Sequence, residues 1–192
     1  MRSICSAMFR WYSQLFRFFG YKSNEKKYEM AIPYVGAIIE RDYRGRREVL
    51  IQTRWKPNRD PLYTGTFEFP AGTLDKPFEN IYEALAREID EECGLKLKRI
   101  KEDSRTSVFH SKREDAVFGF KPFCCTQQLK NGKPWIGFVF ICEVENEPPK
   151  PQSDESKEIK WMPIAEMEKI FRETPEKLFA LEVPAWEYYF QK

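Results

Sequence analysis

The stretch Arg87-Glu88-Ile89-Asp90-Glu91-Glu92-Cys93-Gly94-Leu95 places four acids at the end of a helical pattern, just ahead of a glycine. A helix C-terminus already carries partial negative charge, so acids there are disfavoured unless they have work to do. Advancing each residue by about 100° puts Leu85, Ile89, Tyr82, Cys93 and Ala86 on one arc, with Ile81 at its edge. Glu79, Glu83 and Asp90 fall roughly opposite and read as solvated acids. Glu88, Glu91 and Glu92 gather on one side, and Glu92 lies in angle between Ile81 and Leu85, at the rim of the buried face. Their i, i+3 and i, i+4 spacings bring the side chains together. Three like charges on a partly buried face call for a positive partner, and Arg87 offsets only part of the charge. A hard divalent cation held by carboxylate oxygens would complete the balance, Mg²⁺ first among them. From spacing alone, a solvated acidic face laced with salt bridges is an equal reading.

The elements around this helix read as a mixed sheet. Residues 29–41 and 48–55 have the apolar, β-branched character of strands joined by the charged turn Asp42–Arg47. A short strand covers "TFEFPAG". The helix spans 79–93 and ends at Gly94. Strands follow at about 95–101, 118–128 and 134–144, the last two flanking an Asn131-Gly132 turn. "EIKWMP" is a strand entering a helix that carries Ile164, Met167, Ile170 and Phe171, and a last helix covers 184–190. Strands dominate around one central helix, which predicts a mixed α/β sandwich rather than a doubly wound parallel sheet.

The chain has 192 residues, 42% of them hydrophobic and 32% charged, with a net charge of +2. One domain with an appendage fits that length, and nothing global in the charge suggests DNA or a membrane as partner. Five cysteines without a CxxC pair and a single histidine, His110, argue against a disulfide framework and a zinc site. They fit a reducing compartment such as the cytoplasm. Residues 1–24 differ: Arg2, Arg10, Arg17 and Lys22 stand among aromatic residues with no acid. Arg10, Ser13, Gln14 and Arg17 make one polar helical face. Three readings stay open for this extension: a helix packed on the domain or on a dimer partner, an organelle presequence, and an interfacial membrane helix.

The longer stretch GTLDKPFENIYEALAREIDEECGL, residues 72–95, resembles the signature of the Nudix hydrolases: Gly, five residues, Glu, seven residues, then Arg-Glu-apolar-any-Glu-Glu-any-Gly-apolar. From Glu79 to Leu95 the match has no gap. Between Gly72 and Glu79 stand six residues rather than five, which leaves the path of that loop, and the role of Glu79, open. The resemblance covers about residues 30–172. It implies an α/β/α fold over 28–192 with a mixed sheet and a central catalytic helix.

It also implies Mg²⁺- or Mn²⁺-dependent hydrolysis of the phosphoanhydride in a nucleoside diphosphate linked to another group. Glu88 and Glu92 would hold the metal with Glu91 sharing, and Arg87 would orient the glutamates. Glu91 is one candidate general base. Glu114, Asp115, Asp154 and Glu155 are others on later loops.

For substrate, Arg54, Trp55, Lys56 and Arg59 precede the box strand and suit phosphate with a stacked base, as well as a plain charged loop with a packed Trp. Gly72 joins this substrate-contacting set. Phe67, Phe69 and Trp135 are further stacking candidates, although alternation assigns at least one of them to the core. "FPAG" leans to the ADP-ribose and ADP-sugar branch, while the proline such enzymes often carry beyond the box is replaced near Phe109 and His110. Nucleoside triphosphates, oxidised ones included, are the second substrate class. A non-catalytic nucleotide-binding module is the reading of another kind, against which all three box carboxylates are present. A homodimer is expected from the same branch.

Overall fold

The computed structural model describes residues 30–145, 148–150 and 154–191. The extension read as an amphipathic helix lies outside them. Among the described residues, ten strands and three α-helices alternate with two 3₁₀ turns. The long strands β1 (Ile32–Tyr43), β2 (Arg46–Arg54), β9 (Trp135–Val144) and β10 (Ser156–Pro163) run in the order β10-β2-β1-β9, with β5 (Leu97–Ile100) at the far edge. β1 and β9 are parallel and the other pairs antiparallel, so the sheet is mixed.

β1 and β2 are near-continuous apolar runs because both their faces are covered. Val35, Ala37, Ile39 and Leu50 pack under helix α1 (Ile81–Cys93). Ile38, Val49 and Ile51 face the opposite layer, with Met167 of α2 (Ile164–Glu173) and Ala185, Trp186 and Tyr189 of α3 (Val183–Phe190). The result is the expected α/β/α sandwich.

Local chemistry sets the turns. β1 and β2 meet in a two-residue hairpin at Arg44 and Gly45, both left-handed, with φ of 54° and 76°. Such mirror-image turns match the twist of the strands they join. Asn131 and Gly132 are also left-handed, in the loop from β8 (Cys124–Gln127) to β9.

Several boundaries differ from the sequence reading. The helix begins at Ile81, not 79, because Asn80 caps it: its Oδ1 accepts the Tyr82 N–H at 2.9 Å. β8 starts at Cys124 rather than 118, since Phe118 and Phe120 turn inward to pack against Tyr82 and Phe140. A small hairpin of β6 (Phe109–His110) and β7 (Ala116–Val117), not expected from the sequence, precedes this segment. "TFEFPAG" is two strands: β3 (Phe67–Glu68) pairs with β2, and β4 (Ala71–Thr73) pairs with β1. Pro70 separates them, lacking an N–H for a continuous ladder, while its carbonyl accepts from Ala37 N at 2.9 Å. This change of partner opens the sheet where the helix acids arrive.

Candidate active site

Helix α1 ends at Gly94, whose left-handed φ of 62° lets its N–H reach the Asp90 carbonyl at 2.8 Å. The acids before it go to three environments. Glu88 is mostly buried, its side chain 12% exposed, and Glu92 is buried, whereas the Glu91 side chain is 58% exposed. Arg87 connects the first turn of the motif to the last. Its Nε and Nη2 grip Glu79 at 2.9 and 3.1 Å, and its Nη1 reaches Glu88 Oε1 at 2.6 Å and Glu91 Oε2 at 3.2 Å.

Glu79 is therefore not the solvated acid that the helical wheel made it. It stands ahead of the Asn80 cap, so helical angles do not apply to it. The additional residue of the box is taken up in the same loop. Phe78 adopts a left-handed φ of 61° and is fully exposed, and the Glu79 N–H closes a turn on the Lys76 carbonyl at 3.2 Å. That turn delivers Glu79 to Arg87 despite the longer path.

Glu92 sits under the helix against the split strand. Its Oε2 accepts two hydrogen bonds, from Gln52 Nε2 at 2.9 Å and from the Ala71 N–H at 3.0 Å. Gln52 also faces Glu68, its cross-strand partner, at 3.4 Å, and its carbonyl accepts the Cys93 thiol at 3.9 Å. Leu50, Gln52 and Arg54 alternate along one face of β2, so the row runs from apolar core to amide to guanidinium as it leaves the core. Arg54 binds Glu68 Oε2 at 2.9 Å and Asp60 at 2.8 Å, with its guanidinium 4.2 Å from the Phe179 ring centre. Glu182 arrives from the C-terminal segment, fully buried, and its Oε2 accepts the Phe69 N–H at 2.8 Å. Gln52, Glu68 and Glu182 were not among the residues singled out in the sequence.

Four carboxyls thus share a region with two guanidiniums. Burial, and then the nearby charge of Glu68, push Glu92 up to about 8. Burial also raises Glu68, against the pull of Arg54, and raises Glu182 well above the carboxylate range, with Glu68 adding to it. Glu88 stays raised by burial even with Arg87 beside it. The common cause is negative charge held out of water without enough positive charge to balance it.

Gly72 shows how tightly the two acidic walls meet. A Cβ there would lie 1.9 Å from Glu88 Cδ and 1.9 Å from its Oε2, so only glycine lets the carboxylate lie across β4. These acids open on a cleft of about 480 Å³, within the usual range for a small-molecule site. Arg54, Lys56, Arg59, Tyr63, Tyr34, Lys133, Trp135, Phe179 and Leu181 also line it. Lys56 and Arg59 are held by Glu155, at 2.6 and 2.5 Å. Trp55 belongs to a neighbouring depression with Asp154 and Lys157, whose ammonium stands 3.4 Å over its ring. Phe69 is core, and Phe67 packs at the core edge beneath Lys160.

Of the other acids considered as a base, Glu155 lines the cleft. Burial raises it, but its hydrogen bond and charge contact with Lys56, with Arg59 adding, hold it below the ordinary range. Asp115 is bonded to Ser111 on the β6–β7 turn, outside the cleft lining.

Among the described residues, no three acidic, histidine or cysteine side chains are drawn together in the arrangement of a complete metal cage. The donor chemistry nevertheless fits a hard cation. Glu88 has Oε1 tied to Arg87, and Glu92 has Oε2 tied to Gln52 and Ala71. Each keeps a second oxygen without a described hydrogen bond, and both belong to an excess of buried carboxyls. Mg²⁺ is usually bound through one or two carboxylates, with water and substrate phosphate completing its shell.

Comparison with known proteins gives the family. The NUDIX domain model matches residues 30–181, and the chain belongs to the Nudix family. It is a Nudix hydrolase, a class that generally uses a divalent metal. The NUDIX domain of Shewanella oneidensis NrtR, solved with ADP ribose, is 12% identical with a TM-score of 0.60, over 93% of this chain and 97% of that one. The MutT protein of Methanosarcina mazei Go1 is 23% identical with a TM-score of 0.58, over 85% and 96%. A C. elegans Ap4A hydrolase is 19% identical with a TM-score of 0.52, over 84% and 98%. At these identities the likeness is one of fold. No curated protein sequence matches the chain.

Proposed function

We propose that this Nudix hydrolase cleaves the phosphoanhydride of a nucleoside diphosphate joined to a second group, with ADP-ribose-like compounds as its leading substrates. One observation carries the reading. Glu88 and Glu92, one turn apart on α1, each have one oxygen fixed by donors and one left over, beside a glycine that clears the approach. Glu88 and Glu92 would hold Mg²⁺ or Mn²⁺, with Glu91 sharing from the exposed side. When bound, such an ion neutralises phosphate charge and acidifies a coordinated water.

The chain's own residues do the rest. Arg87 aligns Glu88 and Glu79, and the Gln52 amide with the Ala71 N–H sets the rotation of Glu92. The Glu68–Arg54 pair keeps a guanidinium in the cleft wall, where diphosphate oxygens need donors. Glu91, exposed one turn from Glu88 and paired with Arg87, is the acid we assign to take the proton of the attacking water. The lean to ADP-ribose rests on "FPAG" and on the fold shared with a domain solved with ADP ribose. In that reaction, water adds across the anhydride to give AMP and a sugar phosphate.

A panel of ADP-ribose, NADH, a dinucleoside polyphosphate and 8-oxo-dGTP, assayed on the full chain with Mg²⁺ and with Mn²⁺, tests it. We expect the highest kcat/KM for ADP-ribose. Glu92→Gln should lower turnover at least about a hundredfold with Tm preserved. Absence of turnover on every compound, or an unaltered Glu92→Gln variant, overturns the reading.

A further inference from the structure

We infer that Trp135, at the start of β9, seats the nucleobase of the substrate against a wall built by Tyr34. The inference rests on the phosphoanhydride reading above and assigns the part of the cleft that this reading leaves unassigned.

Among the described residues, four aromatic rings line the cleft: Tyr34, Tyr63, Trp135 and Phe179. A flat base needs an accessible ring face. Phe179 gives a face to the Arg54 guanidinium at 4.2 Å, and Tyr63 meets Phe179 nearly perpendicular with centroids 5.2 Å apart. That pair is consumed by the packing around Arg54. Tyr34 is almost fully buried, and its hydroxyl shares a 2.5 Å hydrogen bond with Thr126. It is fixed from below as well: a Cβ on Gly137, its register partner on β9, would fall 2.2 Å from the Tyr34 ring. Tyr34 is thus a rigid support rather than a free face.

Trp135 remains. It is half-buried and stands at 87° to Tyr34, with centroids 6.2 Å apart, so the support fixes its ring without covering it in parallel. Among the described residues, the one cation over it is Lys133, an exposed side chain 5.6 Å from the ring centre, which a base can displace into solvent. Trp55 has Lys157 at 3.4 Å over its ring, and Trp161 has the Arg41 guanidinium at 4.0 Å; both line depressions other than this cleft. A wide ring held in one orientation loses little freedom on stacking, which makes Trp135 the economical seat for a base.

The test compares Trp135→Ala, Trp135→Phe and Trp55→Ala in the full chain. KM and kcat are measured on the nucleotide substrate and on a base-free ribose diphosphate, and adenosine binding is measured by calorimetry. We expect Trp135→Ala to raise the nucleotide KM roughly ten- to a hundredfold, with kcat changed far less. Trp135→Phe should recover most of the loss, and Trp55→Ala should leave KM within about twofold. The base-free substrate should respond to Trp135→Ala much less than the nucleotide does. Equal KM increases on both substrates would mean that Trp135 only shapes the wall, and an unchanged nucleotide KM would mean that the base lies elsewhere; either overturns the inference while hydrolysis stands. If no pyrophosphate is hydrolysed, the calorimetry still decides. Adenosine binding that weakens in Trp135→Ala supports the seat, and binding equal in both proteins overturns it.

Discussion

Arg87 grips Glu79 through two parallel bonds, Nε to Oε1 at 2.9 Å and Nη2 to Oε2 at 3.1 Å, while a third nitrogen holds Glu88 at 2.6 Å. A guanidinium fork can do this and an ammonium cannot. Arg87→Lys should therefore lower kcat/KM about ten- to a hundredfold in a folded protein. Glu79→Gln should cost a comparable factor, and the double variant little more than either alone. Losses that multiply in the double variant would show that the two residues act separately.

Gly72 offers a second check. The carboxylate of Glu88 occupies the space where a Cβ would stand. The obstacle is the end of a flexible side chain, so Gly72→Ala should displace the carboxylate rather than the backbone. Stability should fall by only about 1 kcal/mol, while kcat/KM falls at least tenfold. A large drop in Tm with activity retained per folded molecule would contradict this account.

Much of this was open to a reader of the sequence. The apolar runs of β1 and β2, the acidic helix and its glycine stop are local patterns, and each predicts its own environment. Glu88 and Glu92 followed from helical angles. Glu79 did not, because the wheel was extended past the Asn80 cap, and a cap ends the helical relation between neighbours. Gln52 carried a faint signal: it shares strand parity with Leu50 and Arg54, an amide on the face that continues toward a site. Glu182 carried none. It lies 113 residues from Phe69 and meets it only because the C-terminal segment runs along β3, with Phe179 N–H bonded to the Phe67 carbonyl at 2.8 Å. The split at Pro70 could be suspected from the proline, but not which strand each half would join.

Gln52 makes a third prediction. Its amide is the only side-chain donor to Glu92 among the described hydrogen bonds. Gln52→Leu keeps much of the volume and removes that donor along with the contact to Glu68. Glu92 would then rest on the Ala71 N–H alone. The Mg²⁺ concentration for half-maximal rate should rise about tenfold, with stability lowered by about 1–3 kcal/mol for the broken buried network. An unchanged metal dependence would show that the amide does not orient Glu92.

Glu182 gives the last prediction, in pH. Burial first, and then the charge of Glu68, raise its carboxyl well above the ordinary range, with Glu92 adding; the Phe69 N–H and Arg54 pull the other way. In the unfolded chain it titrates at about 4.3. Between these values the folded protein holds a proton that the unfolded chain has released, so stability falls as pH rises through that window. The favourable contribution is complete below the unfolded value and is lost toward the raised one. Glu182→Gln keeps an acceptor for the Phe69 N–H and removes the titration. In metal-free buffer the Tm of Glu182→Gln minus that of the wild type should therefore be more positive at pH 8 than at pH 5. A difference that is flat, or that narrows as pH rises, would mean that Glu182 is ionised in the folded state and balanced by Arg54.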